Sequence, residues 1–217
     1  MVEHTQAEIL EKLGGFSVSQ ISDALGFSHP VAAGFRPLDP MFRVCGKALT
    51  VLCEPDDNLA VLLALDKAQK GDVLVISCST QGGTAVWGEL LSLAAQSRGL
   101  AGTIVDGAVR DILEIKAMGY PVFSRDTNAR KARKEKPGEH NVPVRCGSIV
   151  VRPGEIVFAD ANGILAVSAS SIQDVLVKVA EVSRRESDIK QQLLHGVGIV
   201  DILKLERPIQ TPRIKPT

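Results

Sequence analysis

The sequence predicts an α/β fold built around a parallel sheet, and three observations carry that expectation. Two nearly wholly apolar runs, "VLVISC" (73–78) and "AGTIVD" (101–106), read as strands covered on both faces. Helical patterns alternate with them, at 59–70, 85–98 and 109–119, and a further strand, "YPVFS", follows. Gly71 and Gly99 stand where elements must end. A β-α-β-α-β series requires right-handed crossovers and gathers the carboxyl ends of its strands on one edge, where ligands bind.

Taken in order, residues 5–14 read as a short helix with Ile9, Leu10 and Leu13 on one face, ended by Gly14-Gly15. Ser19 is the expected cap of a second helix, after which "GFSHPVAAGFRPLDP" reads as an irregular surface crossing. "RVCGKALTVLC" reads as a strand, and Asp56 or Asp57 can cap the helix that follows "EPDDN". The polar segment 127–140, with Arg130, Lys131, Arg133, Lys134 and Lys136, reads as a solvated excursion, with an anion-attracting lid as the alternative. "VPVRCGSIVVRPGEIVFADANGILAVS" changes character, since short β-branched runs separated by Pro153-Gly154 and Asn162-Gly163 predict antiparallel strands. Residues 170–195 carry the longest helical pattern, and a tail from about 200 to 217 reads as loose or packed on another subunit.

The 217 residues, 45% of them hydrophobic, suffice for one domain with a full core. Lys+Arg and Asp+Glu balance at 25 each, so no global field favours nucleic acid or an anionic membrane. No apolar run approaches the roughly 20 residues of a membrane-spanning helix, and the acidic opening lacks a signal-peptide pattern. A cytoplasmic protein is expected. Cys45, Cys53, Cys78 and Cys146 form no CxxC pair and read as buried free thiols, and the four histidines lack ligand spacing.

Two loops at the shared strand edge carry the candidate chemistry. In "GTIVDGAVRDILE" (102–114), Asp111 falls at a helix start, where it can balance the helix dipole or hold a divalent cation such as Mg2+ that keeps most of its waters. Arg110 can grip a carboxylate through its fork of donors, and as a consecutive residue it should point away from Asp111. Asp106, expected to end its strand, admits a structural role in the following turn or direct catalysis. In the other loop, "STQGGTAVWGELLSLAAQ", backbone N–H groups near the paired glycines, or at Gly88, Glu89, Leu90 and Leu91, are available to an anion. Trp87 reads as packing. Glu89 admits two roles, an exposed helix former or a base moving a proton through water.

"AVWGELLSLAAQSRGLAGTIVDGAVRDILEIKAMGYPVF" resembles the central signature of proteins related to the regulator of ribonuclease activity A, a family that includes class II pyruvate aldolases. "ISDALG", the G-x-A-x-T and D-N of "FRVCGKALTVLCEPDDN", and the closing strands extend the similarity over most of the chain. The resemblance implies a three-layer β/β/α swivelling-domain fold with mixed sheets, assembled as a homotrimer or hexamer with sites between subunits. It implies that Arg110 binds a pyruvyl substrate, that Asp111 binds Mg2+ or Mn2+, and that Gly88, Glu89, Leu90 and Leu91 form the substrate loop, with Glu89 near the reacting centre. The implied reaction is cleavage of 4-hydroxy-2-oxo acids such as 4-hydroxy-4-methyl-2-oxoglutarate or 4-carboxy-4-hydroxy-2-oxoadipate, with oxaloacetate decarboxylation beside it. Other members bind and inhibit an RNA-degrading endonuclease, which is the non-catalytic alternative. Where the family carries "DADGVVVIP", this chain has "DANGILAVS", so Asn162 replaces an acid and Ser168 a proline. An acid that in some aldolases reaches a neighbour's metal has no motif here, although Glu181 and Glu186 are available.

Overall fold

A computed structural model describes residues 5–78 and 83–205. In chain order the elements are α1 (Gln6–Gly14), α2 (Val18–Leu25), β1 (Arg36–Pro37), β2 (Val44–Cys53), α3 (Leu59–Lys67), β3 (Asp72–Cys78), β4 (Ala85–Trp87), α4 (Glu89–Ser97) and β5 (Gly102–Val109). There follow α5 (Ile112–Met118), β6 (Val122–Thr127), β7 (Glu139–His140), β8 (Val144–Cys146), β9 (Ile149–Val151), β10 (Ile156–Asp160), β11 (Gly163–Val167), a 3-10 turn (Ala169–Ser171), α6 (Ile172–Leu194) and α7 (Ile199–Ile202).

The main sheet runs β1-β6-β5-β3-β2-β10-β11, with β4 joined to β5 and β7 to β2. Strands β2, β3, β5 and β6 are mutually parallel, as the alternation with helices predicts. The closing strands add antiparallel, as their tight turns predict: β10 pairs with both β2 and β11. Asp160 Oδ1 accepts the Asn162 N–H at 2.8 Å in the β10–β11 turn, so Asn162 serves there without an acid.

Side-chain alternation in the buried strands separates two cores. Leu74, Ile76 and Val105 face α3, α4 and α5 through Val61, Leu65, Ala95 and Ile115. Val73, Val75 and Ile104 face the β8–β9 hairpin through Val144, Cys146, Ile149 and Val151. Hairpin, sheet and helices thus make the β/β/α layering. A third core packs α1, α2 and α6 on β10 and β11 through Leu13, Ile21, Phe158, Leu165, Val175 and Val179. Each such side chain contributes about 1.5–3 kcal/mol by leaving water. Gly46 permits the close approach of β2 to the turn before β3, since a Cβ there would stand 2.4 Å from the Gly71 carbonyl oxygen.

Four local expectations are corrected. The cap of α2 is Ser17, not Ser19, because Gln20 lies three residues on and completes a capping box. Residues 85–87 form a strand, not the first turn of a helix: Val86 and Trp87 are buried, and β4 pairs in parallel with β5. β5 runs past Asp106 and Gly107 to Val109, with an irregularity against β6 between Val105 and Ala108. Asp106 therefore does not end its strand. Within the expected tail, residues 199–202 are helical, and 206–217 lie outside the described residues, as do Ser79–Gly82 of the glycine loop. No described helix is long and apolar enough to cross a membrane.

Candidate active site

Because β4 and β5 are neighbours, the residues after each strand meet. The Arg110 N–H donates to the Trp87 carbonyl at 3.1 Å, extending the ladder to the point where both chains turn into helices. Asp111 then adopts a left-handed conformation (φ 57°, ψ 45°), which costs about 1 kcal/mol or more for a residue with a Cβ and suits Asp better than most. This turn brings the carboxylate back over β4. Its Oδ2 accepts the Glu89 N–H at 3.1 Å and lies 3.3 Å from Arg110 Nε. The expectation that Arg110 and Asp111 point apart is therefore corrected: the left-handed residue folds their side chains into one ion pair, about one-third exposed on each side.

Gly88 makes room for that pair. Its backbone is extended (φ −167°), which any residue adopts, but a Cβ would meet Asp111 Oδ2 at 2.6 Å and Arg110 Cγ at 3.1 Å. Trp87, almost fully buried, holds the turn from below: its Nε1–H donates to Ser92 Oγ at 2.7 Å, and Ser92 Oγ donates to the Gly88 carbonyl at 3.0 Å. Trp87 also stacks on Tyr120, with centroids 6.5 Å apart. Since α4 has no side-chain cap, its first-turn N–H groups are left to other acceptors.

A pocket of about 270 Å³ opens here, lined by Asn58, Trp87, Gly88, Leu90, Leu91, Arg110 and Asp111 and, on its far wall, Lys131 and Lys134. The lysines arrive on the polar segment 127–140, which is largely exposed as expected but is pinned to the fold at several points. Ala132 is buried, Ala85 and residues 130–132 exchange backbone hydrogen bonds, and the Asn58 N–H donates to the Arg133 carbonyl at 3.0 Å. Asp57 locks the segment from beneath: Oδ2 accepts the N–H groups of Glu135 (2.7 Å) and Lys136 (3.2 Å), and Oδ1 that of Leu59 (2.9 Å) at the start of α3. Burial pushes the Asp57 carboxyl up, but the three N–H donors and the Lys136 charge outweigh it and hold the pKa below the usual carboxylate value. Asn58 donates from Nδ2 to the Val86 carbonyl at 3.0 Å, while its buried Oδ1 has no partner.

Three cations, Arg110, Lys131 and Lys134, thus share a small pocket with one carboxylate, Asp111. The balance suits an anion. It also fits a hard divalent cation: among the described residues no cluster of three His, Cys, Asp or Glu could form a closed metal cage, but one carboxylate suffices for an ion that keeps its waters and takes substrate oxygens. Glu89 gives its backbone N–H to Asp111 but is exposed and outside the pocket lining. Asp106 is apart from this group, on the hairpin side of the sheet, where Oδ2 accepts the Gly147 N–H at 2.7 Å and Oδ1 lies 3.5 Å from Arg125 Nε. All four cysteines are free thiols.

Asn58 entered the sequence reading only within the D-N pair, and Lys131 and Lys134 only within a basic segment whose alternative reading was an anion-attracting lid; none was a named site residue. For Asn58 the D-N pair was the available signal, since a carboxylate and an amide at the start of an apolar helix need partners. The lysines offered only Ala132, a small apolar residue inside a basic run.

The family model described as "RraA-like: Aldolase/RraA" matches residues 18–166. A protein of Halalkalibacterium halodurans named "Putative 4-hydroxy-4-methyl-2-oxoglutarate aldolase" is 35% identical over 196 residues, covering 88% of this chain and 93% of its own. A protein of the same name from Paraburkholderia phytofirmans is 32% identical over 163 residues, covering 71% and 98%. Among solved structures, Streptomyces coelicolor RraAS2, described as "an unusual member of the RNase ES inhibitor RraA protein family", superposes with a TM-score of 0.77 at 26% identity, covering 88% of this chain and 99% of its own. The layered sheet, the Arg110–Asp111 turn and these matches lead to one assignment: the chain belongs to the RraA-like family.

Proposed function

We propose that this protein is a divalent-metal-dependent class II pyruvate aldolase that cleaves 4-hydroxy-2-oxo acids to pyruvate and a second carbonyl compound. The observation that carries the reading is the pocket whose lining includes Arg110, Lys131 and Lys134 together with Asp111. A substrate such as 4-hydroxy-4-methyl-2-oxoglutarate carries two carboxylates, and three cations in one small pocket match that charge. Arg110, fixed through its backbone bond to Trp87 and its ion pair, neutralises the pyruvyl head group. First-turn N–H groups of α4, at Leu90 and Leu91, receive carboxylate oxygens. Lys131 and Lys134 take the distal carboxylate, and Asn58 Oδ1 accepts a hydrogen bond from a hydroxyl.

Asp111 would hold a Mg2+ or Mn2+ ion, which would supply Lewis acidity for the developing negative charge. Glu89, exposed and next to Gly88 and Leu90 of the pocket lining, takes the C4 hydroxyl proton through solvent. As the C3–C4 bond breaks, its electron pair passes to the pyruvyl carbons, where Arg110 stabilises the charge. Loss of CO2 from oxaloacetate delivers the same electron pair to the same carbons, so decarboxylation needs no second site. Asp106 takes no part in this chemistry and positions the hairpin through Gly147. Leu90, Leu93 and Leu113, all exposed on α4 and α5 beside the pocket, are covered by a neighbouring subunit in a homotrimer or hexamer.

Those same leucines favour the second reading, a non-catalytic ring that binds a ribonuclease. Pyruvate release is to be measured over several 4-hydroxy-2-oxo acids and oxaloacetate, with Mg2+ or Mn2+, with EDTA, and with Asp111→Ala as control. Turnover that needs the metal and is lost in the variant supports the aldolase. Undiminished turnover in EDTA defeats the metal reading, and absence of turnover together with capture of a ribonuclease selects the ring.

A further inference from the structure

Cys53 and Cys78 are direct register partners at the carboxyl ends of the parallel strands β2 and β3. Paired strands stand about 4.8 Å apart, inside the roughly 4.4–6.8 Å Cα range that a disulfide spans. Both side chains enter the core beneath α3–α5, whereas Cys146 belongs to the hairpin core and Cys45 to the α1–α2–α6 side, where its thiol donates to the Leu10 carbonyl. The pairing is therefore unique among the four cysteines. The neighbouring Cys78 thiol, reinforced by burial, pushes the Cys53 thiol pKa up. Gly107 of β5 leaves the space that Cys78 Sγ fills, since a Cβ there would lie 2.8 Å from the sulfur. Cys78 is partly exposed and Cys53 buried, so an incoming oxidant reaches Cys78 first.

We propose that Cys53 and Cys78 form a reversible dithiol–disulfide site that responds to hydroperoxides. The Cys78 sulfur attacks a peroxide oxygen, the O–O bond breaks, an alcohol or water leaves, and Cys78 becomes a sulfenic acid. Cys53 then attacks that sulfur, forming the S–S bond, and its proton leaves with the displaced hydroxide as water. The dithiol is oxidised by two electrons, and one peroxide is reduced. Side chains set about 4.8 Å apart by the strand spacing must draw in by about 1 Å to reach the usual disulfide Cβ separation of about 3.8 Å, and the resulting strain makes the bond easily reduced again. The cross-link ties the root of the 54–58 loop, which carries Asp57 and Asn58, to β3.

The test is independent of any aldolase activity. The full-length protein is treated with a few equivalents of hydrogen peroxide, alkylated under denaturing conditions, and examined by intact mass and non-reducing peptide mapping. Loss of two hydrogens, a Cys53–Cys78 linked peptide, alkylated Cys45 and Cys146, and full reversal by dithiothreitol are expected. In Cys53→Ala, a dimedone-reactive sulfenic acid should accumulate at Cys78 instead. Oxygen adducts on the unsubstituted protein without a linked peptide, linkage of another pair, or thiols unchanged after treatment would each overturn the proposal.

Discussion

Gly88→Ala separates the chemistry of the site from the stability of the fold. The added methyl group stands 2.6 Å from Asp111 Oδ2, and restoring an ordinary 3.4 Å contact moves that oxygen by about 0.8 Å. The backbone at 88 is extended and accepts alanine, so no conformational penalty opposes the change, and a few tenths of a kcal/mol is gained from a stiffer unfolded chain. The carboxylate is the partner that yields, because Asp111 and Arg110 are about one-third exposed and their screened ion pair is worth under about 1 kcal/mol. The melting temperature should thus stay within about 3 °C of the parent, since a domain of this size shifts by roughly 2–4 °C per kcal/mol. Displacing the carboxylate proposed to hold the cation, and Arg110 with it, should nonetheless lower kcat/KM for the proposed pyruvate release by about 10–100-fold, the order expected of misplacement near 1 Å. Pyruvate release coupled to NADH oxidation and a thermal melt on the same sample measure both quantities. Turnover within threefold of the parent would show that the tight fit at Gly88 does not position the site, and a melting temperature lowered by 10 °C would show that the pair cannot move.

Asp57→Ala removes the acceptor of three backbone donors and should cost about 4 kcal/mol, from charge-assisted bonds of about 1.5–3 kcal/mol each that are not additive, seen as a midpoint shift in urea at pH 7. The Asp57 pKa is lowered on folding, so its contribution is complete above the unfolded value of about 3.9 and is lost as pH falls through the lower folded value. The gap between parent and variant should therefore close in acid, and a constant gap down to pH 2 would contradict it. Replacing both Lys131 and Lys134 with alanine should raise KM for a dicarboxylate substrate about tenfold or more while sparing pyruvate binding; equal losses for both ligands would remove the lysines from the distal subsite. Trp87→Phe keeps the ring packing but removes the bond to Ser92 Oγ, and a loss of about 1 kcal/mol in thermal stability is expected, whereas a neutral change would show that the Ser92 relay is idle.

Much of the fold was legible because its buried strands need few long-range facts. "VLVISC" and "AGTIVD" are nearly wholly apolar since both faces are covered, and Asn162-Gly163 announces the β10–β11 turn. What escaped depends on partners remote in sequence. Val86 and Trp87 fit a helical pattern as well as a strand, and only β5, about 20 residues later, supplies the backbone bonds that decide between them. Ser17 and Ser19 are both plausible caps, and the choice rests on Gln20, whose side chain returns to the Ser17 N–H. That distinction was available in the spacing.

The site divides in the same way. Arg110 and Asp111 were visible as charges beyond a buried strand, yet their joint geometry was not, because it hangs on one left-handed residue whose cost is met by the Glu89 N–H and the Arg110 guanidinium. Asp106 shows the converse. In a strand, its parity with Ile104 directs it toward the hairpin and away from the helix-side core; Arg110 shares that parity, so what separates the two is the end of β5 at Val109 and the turn that follows, which the period-two rule does not reach. Lys131 and Lys134 needed the most structure to find, since their placement follows from Asp57 gripping Glu135 and Lys136 more than seventy residues away. The D-N pair thereby has a physical meaning: Asp57 anchors the wall that carries the lysines and Asn58 offers an unpaired acceptor beside it, so the two neighbours assemble one side of the pocket while Gly88, Arg110 and Asp111 assemble the other.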